Sequence, residues 1–292
     1  FDFSLSYQKM EGELNYSIST NISRVSNKIT KLLGDDSFVI QGGSFHAMEY
    51  YTRTIVGSQV GEFWGYESDG IFQSQDEVDA LTYVDDNGVT QLTYGSTVGP
   101  GDYRYVDQNG DGQLNEEDKI KIGSPYPDFT MGITGDISYK GFDFNIFMYW
   151  SYGNELFNTV KVFTETPYEQ TNMSSYMLTD AWRPDNTTAT IAQLGGDRQN
   201  NYSRSSDRFI EDGSFLRFKN ISLGYTIPEN VSRKVNIEKL RFYVALQNYF
   251  TITKYSGRDP ELGSTWGVFV QKADLGNYTI PKTLNFGINA SF

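Results

Sequence analysis

The stretch LNFGINASF at residues 284–292 alternates strictly between apolar residues and small or polar ones. Successive side chains of a β-strand point to opposite faces, so one face of this strand is apolar and the other is polar. An apolar face towards lipid and a polar face towards water is the arrangement of a membrane-spanning β-strand. A strand of a soluble β-sandwich can carry the same pattern, so repetition along the chain has to decide between the two.

The pattern recurs along the chain and predicts a set of seven strands. The other six strands are predicted at Phe1–Tyr7, Leu14–Ile22, Phe129–Tyr139, Phe142–Tyr152, Phe215–Ile227 and Leu240–Phe250. Short joints lie at 9–12 and 140–141, whereas long ones lie at 26–128, 154–213 and 251–281. Short turns inside and long loops outside are typical of outer-membrane barrels. The sequence therefore predicts an all-β protein that forms part of an antiparallel transmembrane barrel.

Composition fits a membrane barrel and excludes several other classes. The chain has 292 residues, no cysteine and a mean hydropathy of −0.49, with 21 Tyr and 20 Phe to supply interfacial girdles. No apolar run approaches the ~18 residues that a membrane helix needs. A net charge of −13 argues against nucleic acid or an anionic lipid surface as a partner.

Strand parity adds a prediction about the rest of the barrel. Two weaker candidates, Phe45–Val56 and Glu62–Phe72, would pair about 57–60 and raise the predicted number of strands from seven to nine. Bacterial single-chain barrels have even strand numbers. Because the chain opens inside a strand with no signal peptide, we expect the first barrel strands to lie upstream of Phe1.

The sharpest chemical motif is DQNGDGQLNEED at 107–118, inside a region at 57–128 that the parity predicts to be an extracellular loop. It has the EF-hand ligand spacing, with Gly112 at position six and an Asp instead of Glu at position twelve. The predicted Ca²⁺ ligands are Asp107, Asn109, Asp111, Gln113, Asn115 and Asp118. The alternative is a pair of Asn-Gly and Asp-Gly turns with solvated acids. A bound Ca²⁺ would be structural.

No enzymatic motif is present, and the sequence predicts no catalytic residue. His46 is the only histidine, so a Ser-His-Asp triad would have to use it. The segment 157–182 can include a short helix, and four of its aromatic residues are candidates for ligand stacking or for packing within the loop. They are Phe163, Tyr168, Tyr176 and Trp182.

Four stretches together resemble the C-terminal part of SusC/RagA-type TonB-dependent transporters. They are SQVGEFWGYESDGIF at 58–72, PGDYRYVDQNGDGQLNEEDKIKIGSPYPDF at 100–129, YKGFDFNIFMYWSYGN at 139–154 and the ending LNFGINASF. The resemblance implies an outer-membrane barrel of about 22 strands with a plug. It also implies a SusD-type surface lipoprotein as a lid, import of glycan or peptide fragments, and contact with TonB through a plug that this chain lacks. Phe292 resembles the terminal signal that the outer-membrane assembly machinery reads.

These expectations make residues 1–292 the C-terminal part of a transporter barrel, without its plug and first strands. One rival is a secreted, soluble β-rich binding module or hydrolase with a calcium-stapled loop. Another is an outer-membrane adhesin or structural barrel without a plug. The sequence assigns no residue to substrate binding.

Overall fold

A seven-stranded antiparallel sheet dominates the protein, which we describe from a computed structural model covering residues 1–34, 38–44, 48–167, 172–261 and 267–292. Its strands are β1 (Asp2–Lys9), β2 (Leu14–Ser23), β3 (Phe129–Tyr139), β4 (Phe142–Tyr152), β5 (Phe215–Thr226), β6 (Lys239–Thr253) and β7 (Thr283–Ser291). Neighbours in the sheet follow each other in the chain, so the topology is up-and-down. The predicted all-β fold with a large antiparallel sheet is confirmed.

The register gives the sheet one apolar and one polar face. Directly paired residues of antiparallel strands point to the same side. One row of paired residues across β2 to β7 consists of Tyr16, Ile137, Phe144, Leu223, Val244 and Phe286. The neighbouring row, on the other face, consists of Ser17, Asp136, Asn145, Ser222, Ala245 and Asn285. The apolar face is open, since Phe286 is 77% exposed and Leu223 47%.

A β-bulge at Lys219 interrupts the ladder of β5. Phe218 and Asn220 pair with the consecutive residues Met148 and Phe147 of β4, so Lys219 has no partner there. A bulge inserts one extra residue and leaves it unpaired. Leu216 and Phe218 therefore stay on the apolar face together with Leu223, although the numbers change from even to odd.

The connections at the two ends of the sheet differ in length, as predicted. Lys140 and Gly141 join β3 to β4 as a two-residue turn in which both residues have positive φ, 46° and 87°. Such turns match the twist of the strands they join. The β5–β6 connection holds a helix at Glu229–Ser232 and a 3₁₀ turn at Arg233–Val235. The long connections, 24–128, 153–214 and 254–282, all lie at the other end of the sheet.

The first long connection contains short strands and short helices. A four-stranded sheet joins Ile40–Gly42, Thr52–Thr54, Glu62–Gly65 and Ile120–Gly123. Ser68–Ile71 pairs with Tyr103–Tyr105, and Thr82–Val84 pairs with Thr90–Leu92. A helix spans Gln75–Asp79 and a 3₁₀ turn Glu116–Asp118.

The second and third long connections meet in one small sheet. Glu155–Asn158 pairs with Ile210–Asp212 and with Ala273–Asp274. Between them lie helices at Thr159–Thr164 and Met177–Asp180, a π-helix at Gln199–Ser203 and a 3₁₀ turn at Asp207–Phe209. In the described ranges, no helix has both the length and the apolar character needed to cross a membrane.

The two weaker strand predictions are wrong as barrel strands. Thr52–Thr54 and Glu62–Gly65 do pair with each other, but within the four-stranded sheet of the first connection. The reason is burial, since Phe63 is 0% exposed inside a packed core and does not face outward. Phe45, the predicted start of the first candidate, lies outside the described residues.

The long connections, not the sheet, contain the protein's buried cores. One core is built around Tyr66, Phe72, Tyr103, Tyr105 and Trp182, and a second around Tyr51, Phe63, Phe157, Phe209 and Val270. The large side chains that are fully buried all lie outside β1–β7. We call this packed part, residues 24–128, 153–214 and 254–282 as far as they are described, the loop region.

Candidate functional site

The calcium-type loop at 107–118 is a chain of turns in which side-chain oxygens accept backbone N–H groups. Asp107 accepts from Gly110 at 2.7 Å and Gly112 at 2.8 Å. Asn109 accepts from Asp111 at 3.0 Å, and Asp111 in turn accepts from the Gln113 N–H at 2.7 Å. Positions one, three and five thus direct their oxygens into the loop.

Position twelve closes the loop from its far end. Asp118 is 0% exposed and accepts from the backbone N–H of Gln108 at 2.9 Å and of Asn115 at 2.7 Å. Asn115 accepts from the Glu117 N–H at 2.8 Å, which completes a capping box on the 3₁₀ turn. Both oxygens of Asp118 therefore already hold the loop together.

A β-hairpin supports the same loop from outside. The hydroxyl of Thr93 donates to the carbonyl of Gly112 at 2.5 Å, and a Cβ at Gly112 would lie 3.0 Å from the Cβ of Tyr83. Across the described ranges, no group of three or more His, Cys, Asp or Glu side chains is placed to hold a metal ion. The calcium prediction for the six predicted ligands therefore rests on the ligand spacing, including its amide and carbonyl oxygens.

A second polar site surrounds Glu211, which lies in the Ile210–Asp212 strand of the small sheet. Its carboxylate pairs with Lys161 at 2.8 Å and accepts from Asn158 at 2.9 Å and from the backbone and hydroxyl of Ser256, both at 2.8 Å. Burial raises the pKa of the Glu211 carboxyl, but the hydrogen bonds from Lys161, Ser256 and Asn158 outweigh it and leave this pKa below its ordinary value. Glu211 thus joins the helix at Thr159–Thr164 to the third long connection.

Next to the Glu211 site lies a buried ion pair that also contacts an aromatic side chain. Arg208 pairs with Glu165 at 2.6 Å, and their side chains are 10% and 8% exposed. The hydroxyl of Tyr176 donates to Glu165 at 2.8 Å. Burial, together with the Glu165 carboxylate, raises the pKa of the Tyr176 phenol to about 12. Lys161, Tyr176 and Ser256 line two adjoining cavities of about 340 Å³ and 430 Å³, which we call the groove.

The polar face of the sheet holds ion pairs that reach across strands and into the loop region. Arg241 of β6 binds Asp143 of β4 through two nitrogens. Arg217 of β5 binds both Asp259 and Glu261 of the third long connection. Because Arg217 and Asp259 are each only 4% exposed in their side chains, this pair couples the sheet to the loop region.

The other residues considered from the sequence fall into different places. Trp182 packs in the first core, where its indole N–H donates to Gln73 at 2.9 Å. Tyr176 lines the groove, whereas Tyr168 and His46 lie outside the described residues. Phe292 is 89% exposed. The sequence reasoning missed Lys161, Glu165 and Glu211, because single charges in long loops carry no pattern before the chain is folded.

Comparisons with known proteins agree with the sheet described above. The TonB-dependent receptor P3 of Formosa agariphila is 31% identical over 302 residues, which cover 100% of this chain and 28% of that receptor. The TonB-dependent receptor SusC of Bacteroides thetaiotaomicron is 30% identical over 96% of this chain and 25% of its own length. A solved structure, "Structure of the RagAB peptide transporter", matches with a TM-score of 0.73 at 24% identity, over 100% of this chain and 29% of that one. No protein-family model matches.

The seven-stranded sheet and its long connections therefore match part of the fold of TonB-dependent receptors. More narrowly, the chain belongs to the SusC/RagA-type TonB-dependent receptors, as the sequence resemblance predicted. It spans about a quarter to three-tenths of the length of these relatives.

Proposed function

We propose that the protein takes part in the TonB-dependent import of nutrient fragments across the bacterial outer membrane. The observation that carries this proposal is the up-and-down sheet with an open apolar face, combined with similarity to TonB-dependent receptors over the whole chain. The apolar face would lie against lipid and the polar face would line the barrel lumen. The role is transport and not catalysis.

The partners in this proposal follow from the family. A SusD-type lipoprotein would cover the loop region, TonB would act through a plug outside this chain, and the outer-membrane assembly machinery would read Phe292. Nucleic acid is not a partner, given the net charge of −13. The cargo would be glycan or peptide, as the sequence resemblance implies, and one similar solved structure is described as a peptide transporter.

Deletion of the gene in its own bacterium tests the proposal. Growth on one class of oligosaccharides or peptides as the sole carbon source should fail, and the complete gene should restore it only in cells that have TonB. Unchanged growth and uptake on every glycan and peptide mixture would rule the proposal out. The rival of a secreted soluble binding module predicts that the gene product appears in the medium and not in outer-membrane fractions.

We also propose that the calcium-type loop binds Ca²⁺ as a structural brace near the lid lipoprotein. The support is the ligand spacing, with the oxygens of Asp107, Asn109 and Asp111 directed inward by their turns. Calcium takes about six to eight oxygens with flexible geometry, and such a loop can supply them.

The calcium proposal is tested by metal analysis of the purified full-length protein. The double variant Asp107→Ala, Asp111→Ala should lose one equivalent of Ca²⁺ and expose 107–118 to protease. Asp185→Ala is a matched control, because Asp185 is an exposed carboxylate outside the loop and its ion pair is with Arg183 at 3.3 Å. Equal metal content in the wild type and the double variant would mean that the loop is a set of turns only.

A further inference from the structure

One edge of β6 has no neighbour at its end near the loop region. The ladder between β6 and β7 ends where Gln247 pairs with Thr283, whereas β6 continues to Thr253. Beyond Gln247, β6 pairs with β5 on one side, and no described residue pairs with its other side. An unpaired edge presents backbone N–H and C=O groups to which another strand can bind. Residues 248–253 therefore form an edge to which a strand can be added.

The six residues before β7, 277–282, lie near this edge and form no hydrogen bond with any described residue. We call them the strap. The ammonium group of Lys282 lies 5.8 Å from the ring centroid of Tyr249. Tyr278 is 96% exposed and Ile280 37%. The backbone of the strap is thus available for pairing with β6.

The chain is held beside β6 on both sides of the strap. After the strap, Thr283 pairs with Gln247. Before it, Asp274 accepts a hydrogen bond at 2.5 Å from the hydroxyl of Tyr255, just beyond the end of β6. Gln247 to Tyr255 is eight residues along the chain and Asp274 to Thr283 is nine, so the two stretches are matched in length. Gly276, with a φ of 76°, lies between Asp274 and the strap and is a suitable hinge, because glycine adopts positive φ without strain.

The side chains of the strap also fit the two faces of β6. Continued in the same register, the β6–β7 ladder would pair apolar residues with apolar ones and polar residues with polar ones. The pairs are Phe250 with Ile280, Thr251 with Thr279, and Ile252 with Tyr278. Directly paired residues of antiparallel strands lie on the same face, and Phe250 and Ile252 lie on the apolar one. A shift by one residue would reverse the faces, so the strap fits the free edge in this register.

Two local features explain why the ladder ends at Gln247. Asn248 has a left-handed backbone with a φ of 52°, and the register between β5 and β6 shifts at the same height. Such an irregularity disrupts a ladder and twists the strand. Pro281, in the strap, has no N–H to donate. The strap therefore matches β6 in length and pattern, while the first step of pairing is obstructed.

We propose that the strap extends β7 by pairing with the free edge of β6, so that the protein alternates between the unpaired state of this structure and a paired state. In the paired state the β6–β7 ladder continues to the loop region. Asp274 and Gly276 also line the 340 Å³ cavity of the groove, so the hinge of the strap lies in the wall of that cavity. This pairing is a property of the chain's own fold and does not depend on the proposed import.

Disulfide formation in the full-length protein, in isolated outer membranes, tests this pairing. The chain has no cysteine, and any cysteine outside it is replaced by serine. The paired state places Ile252→Cys and Tyr278→Cys opposite each other, within the Cα separation of about 4.4–6.8 Å that a disulfide needs. Val244→Cys with Phe286→Cys is the reference, because these residues pair on the same face of the β6–β7 ladder. Ile252→Cys with Thr279→Cys is the control, one residue out of register. Oxidation is started with copper phenanthroline, and the cross-linked peptides are quantified by mass spectrometry.

We expect the Ile252–Tyr278 pair to cross-link about tenfold more slowly than the reference, as for a minor state of about 10% population, and the control pair not to cross-link. Pro281→Ala should raise the rate, because it restores a backbone donor to the strap. If cysteines on the apolar face prevent assembly, Thr251→Cys with Thr279→Cys gives the same measurement on the polar face. Absence of the in-register cross-link, with and without Pro281→Ala, would overturn the inference. Equal rates for the in-register and control pairs would also overturn it, since they would show an unstructured tether.

Discussion

The sheet and the loop region place their apolar side chains in opposite ways. On the sheet, Leu223 and Phe286 face outward and are 47% and 77% exposed, whereas in the loop region Phe157 and Phe209 are at most 1% exposed. In water such a sheet would present an aggregation-prone face. The loop region is built like an ordinary soluble protein, with packed aromatic cores. The difference is what the proposed membrane location predicts, with lipid around the strands and water around the loops.

The largest effect is expected from breaking a core of the loop region. Phe157 stacks on Tyr51 with ring centroids 4.1 Å apart and on Phe209 at 5.6 Å. Phe157→Ala should lower the free energy of unfolding of the loop region by about 3–5 kcal/mol. The measurement is the urea dependence of protease cleavage in the loops. Phe286→Ala, on the open face of the sheet, is the control and should leave the urea midpoint of loop cleavage unchanged. An equal shift of this midpoint in both variants would contradict the proposed difference between the sheet and the loop region.

A smaller effect is expected where the two regions are joined. Arg217→Gln removes the cation from Asp259, whose side chain is 4% exposed, and should cost about 3 kcal/mol because an uncompensated charge remains buried. Faster protease cleavage within 254–282 would report the loss. Arg241→Gln removes a better-solvated partner of Asp143 on the same face of the sheet and should cost less. The reverse order would contradict the coupling role given to Arg217.

The next prediction tests which solvent surrounds the apolar face. Leu223→Lys places a charge on that face and should destabilise the assembled barrel by about 2 kcal/mol. Ser222→Lys changes the neighbouring residue on the polar face and should have little effect. The measurement is the fraction of protein in the outer membrane that resists unfolding by detergent without heating. Similar losses in both variants would mean that neither face is in lipid.

The smallest effect is a pH dependence confined to the loop region. The folded-state pKa of Glu211 lies below its ordinary value, so the unfolded state binds a proton more readily. Its contribution to stability is therefore complete above about pH 4.5 and is lost as the pH falls through the folded-state pKa. Glu211→Gln should flatten the acid dependence of loop protease resistance below about pH 5. An unchanged acid profile would show that Glu211 does not set it.

Most of the sheet could be predicted from the sequence because its signal is local. The predicted spans Phe129–Tyr139 and Phe142–Tyr152 coincide with β3 and β4, since alternation with period two reports a two-faced strand directly. Short and long connections then followed from strand order. The prediction of two additional barrel strands was wrong because Glu62–Gly65 belongs to a small sheet inside a core. There, burial and not alternation decides where the apolar residues occur.

The candidate sites divide in the same way. The loop at 107–118 could be recognised because its candidate ligands lie close together in the sequence. Its Asx turns are compatible both with a Ca²⁺ site and with a set of turns alone, so the local sequence does not distinguish these two alternatives. The groove could not be predicted from the sequence, because Lys161, Tyr176 and Ser256 come from distant segments that only the folded chain brings together.

The bulge at Lys219 shifts the alternation of β5 by one residue. This shift decides which side chains of β5 lie on the apolar face and which lie on the polar face. Without the bulge, Leu216 and Phe218 would lie on the polar face of the sheet. Arg217 would lie on the apolar face, away from Asp259. Lys219 itself is held by Glu261, at 2.5 Å and 2.7 Å from its amine. A one-residue deletion at this position would therefore turn the side chains before it in β5 to the opposite face of the sheet. Such a deletion would be far more damaging than any substitution of the same lysine.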